Sequence, residues 1–134
     1  MRPRKRILLI DSEEANVATL RLVLAVNGYK PIHVANAAAA LEILPDADLV
    51  LVRSFTLQEG DRIIQELKQK VAYWIQMIIV TDLEKAKGLM HSADAVIDHR
   101  IPPVELLERT KVWTARKRGP RKSRGVPRYE TAIA

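Results

Sequence analysis

The 134-residue sequence contains no cysteine, which excludes disulfides, thiolate metal sites and thiol nucleophiles. Its five glycines form no phosphate-binding loop and no dinucleotide fingerprint, and the chain has no internal repeat. No apolar run approaches transmembrane length, and the first residues lack the apolar stretch of a signal peptide. The expectation is a soluble, cytoplasmic protein without membrane contact. Aromatic residues are few, and Trp74 and Trp113 read as packing residues rather than nucleobase platforms. No nucleophile–base pair and no metal cluster is visible, so catalysis is not expected.

Charge is present but unevenly placed. The net charge is +6. Residues 1–6 carry Arg2, Arg4, Lys5 and Arg6. Residues 114–134 carry Arg116, Lys117, Arg118, Arg121, Lys122, Arg124 and Arg128 against Glu130 alone. Residues 7–113 hold 11 basic and 15 acidic side chains, so the central part is mildly acidic. The organisation is therefore a basic N-terminal extension (1–6), one folded domain (7–113) and a basic tail (114–134). The tail is Gly-, Pro- and Arg-rich without periodicity and is expected to be disordered. Such a tail attracts phosphate backbones without reading sequence, and it serves equally well as a solvated linker.

The domain alternates short apolar runs with helical patterns. Ile7–Ile10, Leu49–Val52 and Met77–Val80 are unbroken apolar runs, the mark of strands covered on both faces. Ile32–Val34 and Ala95–Ile97 complete five strands, with Pro31 placing the second at an edge. Asp11 or Ser12 can cap a first helix whose inward face is Val17, Leu20, Val23 and Leu24; Asn27-Gly28 ends it. Asn36 can cap a helix through Leu44, and Ser54–Gly60 reads as a polar loop before a helix from Asp61 to about Ala72. Leu83–Ser92 reads as a short, weak helix ended near Gly88. Pro102-Pro103 starts a last helix with Leu106, Leu107, Thr110 and Trp113 inward. The fold class is α/β: a doubly wound, five-stranded parallel sheet of order 2-1-3-4-5, with helices on both faces in a flavodoxin-like, three-layer sandwich. In such sheets the ligand crevice lies beyond the carboxyl ends of the strands, where Arg53 ends the central one.

Several spaced features carry a family resemblance. They are Ile-Leu-Leu-Ile-Asp-Ser-Glu-Glu at 7–14, Asn-Gly-Tyr at 27–29 and Ala-Asp-Leu-Val-Leu-Val at 47–52. Ile-Ile-Val-Thr at 78–81, Ala-Asp-Ala-Val-Ile at 93–97 and Pro-Val-Glu-Leu-Leu at 103–107 follow in order. Residues 6–113 resemble the CheY-like receiver domain of bacterial response regulators. Receivers take a phosphoryl group on an aspartate at the end of the third strand. An acidic pair after the first strand holds Mg²⁺, and a hydroxyl residue and a lysine contact the phosphoryl oxygens.

Matched residue by residue, the chain departs from that set. Asp11 matches the first acid, but Ser12 stands where the second is expected. Arg53 stands at the acceptor position, Thr81 matches the hydroxyl residue, and His99 falls where the lysine belongs. Thr81 also reads as an ordinary strand residue and His99 as an ordinary loop histidine. A guanidinium is always protonated and cannot be the nucleophile, and it repels a divalent cation. The resemblance thus implies a degenerate pseudo-receiver with Mg²⁺ binding weak or lost, in which Arg53 pairs with Asp11, Glu13 or Glu14 in place of the metal. The expected function is a phosphorylation-independent protein-interaction module of two-component signalling or transcription control. Its partner surface is expected over 83–113, with Glu105, Leu106 and Arg109 in contact, and a homodimer through this face is compatible with the resemblance. Three alternatives stay open: a nucleic-acid-binding adaptor using the basic termini, a receiver phosphorylated at a non-standard position and, last, an enzyme of another α/β family.

Overall fold

The computed structural model of the chain describes residues 4–71, 73–115, 119–120 and 130–132. Its centre is a parallel sheet of β1 (Arg6–Ile10), β2 (Lys30–Val34), β3 (Leu49–Arg53), β4 (Gln76–Thr81) and β5 (Ala95–Asp98). These five stand in the order 2-1-3-4-5. The register sets Ile10 beside both Val34 and Val52, Arg53 beside Val80, and Thr81 beside Asp98. The carboxyl ends of the strands therefore align along one rim.

Alternation along each strand divides the core in two. Leu8, Ile10, Val50, Val52, Met77, Ile79 and Val96 face one side. There they meet Ala40 of α2 (Ala37–Ile43) and Leu57, Ile64 and Leu67 of α3 (Leu57–Lys68). Ile7, Leu9, Leu49, Leu51, Ile78, Val80, Ala95 and Ile97 face the other side. They meet Leu24 of α1 (Ala18–Val26) and Leu106, Leu107 and Trp113 of α5 (Pro103–Thr114). Two buried faces explain why the central strands are apolar without a break. β2 keeps one free edge and is only half-buried, as Pro31 requires.

Four elements differ from the sequence expectation. α1 starts at Ala18 after a 3₁₀ turn at Glu14–Asn16, and no side chain caps it. Asp11 instead accepts the Glu13 amide at 2.9 Å and the Asn16 side-chain amide at 3.3 Å, so it closes the turn leaving β1. α3 starts four residues early because Thr56 caps it, accepting the Glu59 amide at 3.2 Å. Gly60 therefore lies inside a helix and is buried. A Cβ there would come within 2.5 Å of Ser54 Oγ and 3.0 Å of Ile79 Cγ2, so its absence lets α3 approach the sheet.

α4 is a single turn, Leu83–Ala86, slightly shorter than the weak helix ended near Gly88 that the sequence suggests. Lys87 leaves the helical conformation and Gly88 adopts φ +77°. The chain then crosses to α3, where the Asp61 carboxylate accepts the Ser92 amide at 2.6 Å and its hydroxyl at 2.8 Å. Finally, part of the tail is ordered as strand: β6 (Glu130–Ala132) pairs in parallel with β5 as a sixth strand. Residues 119–120 pair with Tyr73-Trp74 in a separate two-stranded ribbon. The open edge of β5 supplies the backbone partners that the tail's composition concealed.

Candidate functional site

A cleft of about 540 Å³ opens at the carboxyl rim of the sheet, across the β1–β3 boundary where the strand order reverses. Asp11, Ser12, Arg53 and His99 all line it. The end of each strand is held by a continued ladder. Asp11 N donates to Val34 O at 3.1 Å, Ser54 N to Val80 O at 3.0 Å and His99 N to Thr81 O at 2.8 Å. These bonds fix the backbone from which the side chains project.

Arg53 Nε lies 3.5 Å from Asp11 Oδ2. The Asp11 side chain is 4% exposed and the Arg53 side chain 32%. The first Asp11 oxygen is committed to the turn already described; the second makes no hydrogen bond and has the guanidinium as its neighbouring charge. Two charges in a partly desolvated cleft attract more strongly than on an open surface. Ser12 is exposed, and Glu13 lines the cleft mouth. Mg²⁺ takes hard oxygen donors in near-octahedral array, typically with one or two carboxylates. The donor set here does not fit that requirement: one buried carboxylate, a hydroxyl in place of the second acid, and a fixed cation against the free oxygen. Among the described residues no group of three or more His, Asp or Glu side chains is arranged to hold a metal ion.

Thr81 is brought to the rim but not into the cleft. Its side chain is buried, and its hydroxyl finds no hydrogen-bond partner. His99 is half-buried on the cleft wall. Its neighbour Asp98 organises that wall. The Asp98 carboxylate accepts the Leu83 amide at 3.1 Å and Arg100 Nε at 2.8 Å, tying the start of α4 to the end of β5. The Arg100 side-chain hydrogen bond holds the Asp98 carboxyl down to about 2. A depressed carboxyl contributes stability above the ordinary aspartate range, and that contribution is lost as pH falls from about 4 towards 2. Arg100→Ala is expected to return the Asp98 midpoint towards about 3.9 in a carboxyl-carbon NMR titration. The stability gap between variant and parent should narrow as pH falls below about 4 and close only near pH of about 2. An unmoved midpoint would show that Arg100 does not set it.

The cleft also holds Asn16, Phe55, Glu59, Asp82 and Lys85, none singled out from the sequence. Two of these had a signal. Thr56-Leu57-Gln58-Glu59 has capping-box spacing, which starts α3 early and carries Glu59 to the rim. Asp82 caps α4 by accepting the Glu84 and Lys85 amides, and so sets Lys85 on the cleft side. Lys85 Nζ stands 5.8 Å from the centre of the Phe55 ring, which is 82% exposed.

The expected partner surface needs one correction. Leu106 belongs to the core beneath α5, on the face shared with Thr110 and Trp113, and presents nothing to a partner. Glu105 and Arg109 are half-buried, and the exposed apolar residues of α5 are Val104 and Val112. Beside the shortened α4 lies an apolar groove of about 200 Å³, lined by Leu57, Leu83, Ala86, Leu89, His91 and Val96. Arg116, Lys117, Arg118, Arg121, Lys122 and Arg124 lie outside the described residues. No helix among the described residues is long and apolar enough to cross a membrane.

No protein-family model matches the sequence, and no curated protein does. Solved structures do match. A CheY-like response regulator receiver domain protein from Methanospirillum hungatei JF-1 superposes with a TM-score of 0.67 at 26% identity, over 84% of this chain and 95% of that one. The signal receiver domain of an HD domain-containing protein from Pseudomonas fluorescens Pf-5 gives 0.68 at 22% identity, over 86% and 90%. The receiver domain of Francisella response regulator 1452 gives 0.69 at 18% identity, over 84% and 98%. The fold of this chain is that of the CheY-like receiver domains of response regulators.

Proposed function

We propose that this chain is a receiver-fold module of signal transduction or transcription control that works by binding a protein partner and needs no phosphorylation. The observation that carries this reading is Arg53 beside Asp11 at the carboxyl rim. A guanidinium offers no lone pair to a phosphorus centre, so position 53 cannot become a phosphoaspartate. It also supplies the positive charge that would otherwise come from a divalent cation, so Mg²⁺ binds weakly or not at all. Without a metal or an acceptor the cleft has no phosphoryl group to gain or lose, and the domain stays in one conformation.

Partner binding then falls to surfaces that no switch controls. The one-turn α4 leaves the apolar groove open, and Met90 beside it is 94% exposed. Apolar surface of this kind, rimmed by Lys87 and His91, suits a protein partner better than a nucleic acid. The test is incubation of the full chain with a small phosphodonor and Mg²⁺, followed by intact mass. The expected spectrum shows the unmodified chain. A stoichiometric phosphoryl adduct would overturn the reading, and its position would identify the non-standard acceptor.

A further inference from the structure

The rim cleft holds two charged groups whose hydrogen-bonding capacity the folded chain leaves unused. Asp11 Oδ2 is buried and accepts no hydrogen bond. Arg53 Nε lies 3.5 Å from it, yet the Arg53 side chain donates no hydrogen bond among the described residues. Buried polar atoms are ordinarily hydrogen-bonded. A buried carboxylate oxygen beside open volume can therefore accept a ligand's proton without taking a bond from the fold. Arg53 is 32% exposed and held by no hydrogen bond, so its guanidinium can rotate to admit a ligand to Asp11.

The lining decides the charge of that ligand. Among the described residues, the carboxylates Asp11, Glu13, Glu59 and Asp82 outnumber the permanent cations Arg53 and Lys85. An excess of carboxylate repels a simple anion, and Arg53 repels a simple cation at Asp11. A zwitterion satisfies both. In an α-amino acid the ammonium and the carboxylate stand on adjacent carbons, which suits site charges as close together as Asp11 and Arg53. The cleft, at about 540 Å³, has the size of a small-molecule site. Ala35 and Ile63 give it apolar lining, and the Phe55 ring, 82% exposed, offers a face to an apolar side chain.

We propose that the cleft binds a free α-amino acid with an apolar side chain. The ligand ammonium donates to Asp11 Oδ2, its carboxylate accepts from the Arg53 guanidinium, and its side chain lies against Phe55. The proposal rests on the same Arg53–Asp11 pair as the proposed function, but the two fail separately. A phosphoryl adduct in the mass spectrum would sink that reading, and absent ligand shifts would sink this one.

The full chain is titrated with L-alanine, L-leucine and L-phenylalanine while the backbone amides of Ser12, Ser54 and His99 are followed by NMR. Saturable shifts at millimolar ligand are expected at all three amides, with L-phenylalanine binding tightest. N-acetyl-L-phenylalanine lacks the ammonium and L-phenylalaninamide lacks the carboxylate. Each should bind roughly tenfold or more weakly, since each loses a charged hydrogen bond. These two arms also separate a free amino acid from a peptide terminus. γ-Aminobutyrate, whose charges stand farther apart, should give no saturable shift. Arg53→Met should lose binding of all three amino acids, and Arg53→Lys, which keeps a cation, should retain part of it. No saturable shift with any of the three, equal binding of the acetylated or amidated form, or Arg53→Met binding as tightly as the parent would each overturn the proposal.

Discussion

Replacing Arg53 by Met is expected to lower stability by about 2 kcal/mol in urea unfolding at neutral pH. Removing one partner of a fully buried pair costs roughly 3–5 kcal/mol, because the other charge is left uncompensated. The cost here is smaller because the Arg53 side chain is 32% exposed and Asp11 keeps its two hydrogen bonds through Oδ1. The same logic fixes a control. Asp11→Asn in the Arg53→Met background removes the stranded charge and keeps an oxygen for the Glu13 amide. The double variant should therefore be more stable than the sum of the two single losses, with a coupling of about 1 kcal/mol or more. An Arg53→Met chain as stable as the parent would show that the guanidinium compensates nothing.

The second large effect is a gain. Ser12→Asp with Arg53→Asp places three carboxylates, Asp11 included, at the rim and removes the cation. Without metal, like charges in a partly desolvated cleft repel, and the melting temperature should fall. With Mg²⁺ the same groups become a donor set, and the melting temperature should climb in a saturable way, as expected for a ligand that binds only the folded state. Magnesium affinity should exceed that of the parent at least tenfold. A variant whose melting is indifferent to Mg²⁺ would mean that the loss of metal binding lies elsewhere in the cleft.

The fold was legible in the sequence because the signal was redundant. Three continuous apolar runs, a proline-bearing edge strand and short spacing point to one sheet order, and five strands take it. The site was legible at the rim for the same reason: once β1 and β3 are placed, Asp11 and Arg53 must end adjacent strands. The failures have separate causes. Gly60 read as loop because glycine is poor in helices, yet here the missing Cβ is what close packing requires. Leu106 was offered both to the core and to a partner, and helical spacing with Thr110 and Trp113 decides for the core. The break of α4 near Gly88 was legible from the glycine itself, which takes a positive φ; the tie of the following segment to α3 through Asp61 and Ser92 was not, because no local pattern encodes it. β6 owes its conformation to the β5 edge and not to its own composition.

Arg53 standing in for a metal is most directly tested by titrating the parent chain with Mg²⁺ and beryllofluoride while following the backbone amides of Ser12, Ser54 and His99 by NMR. The expected result is no saturable shift at any of the three. Saturable, cooperative shifts at this rim, with Asp11 and the residues around Arg53 moving together, would contradict the account.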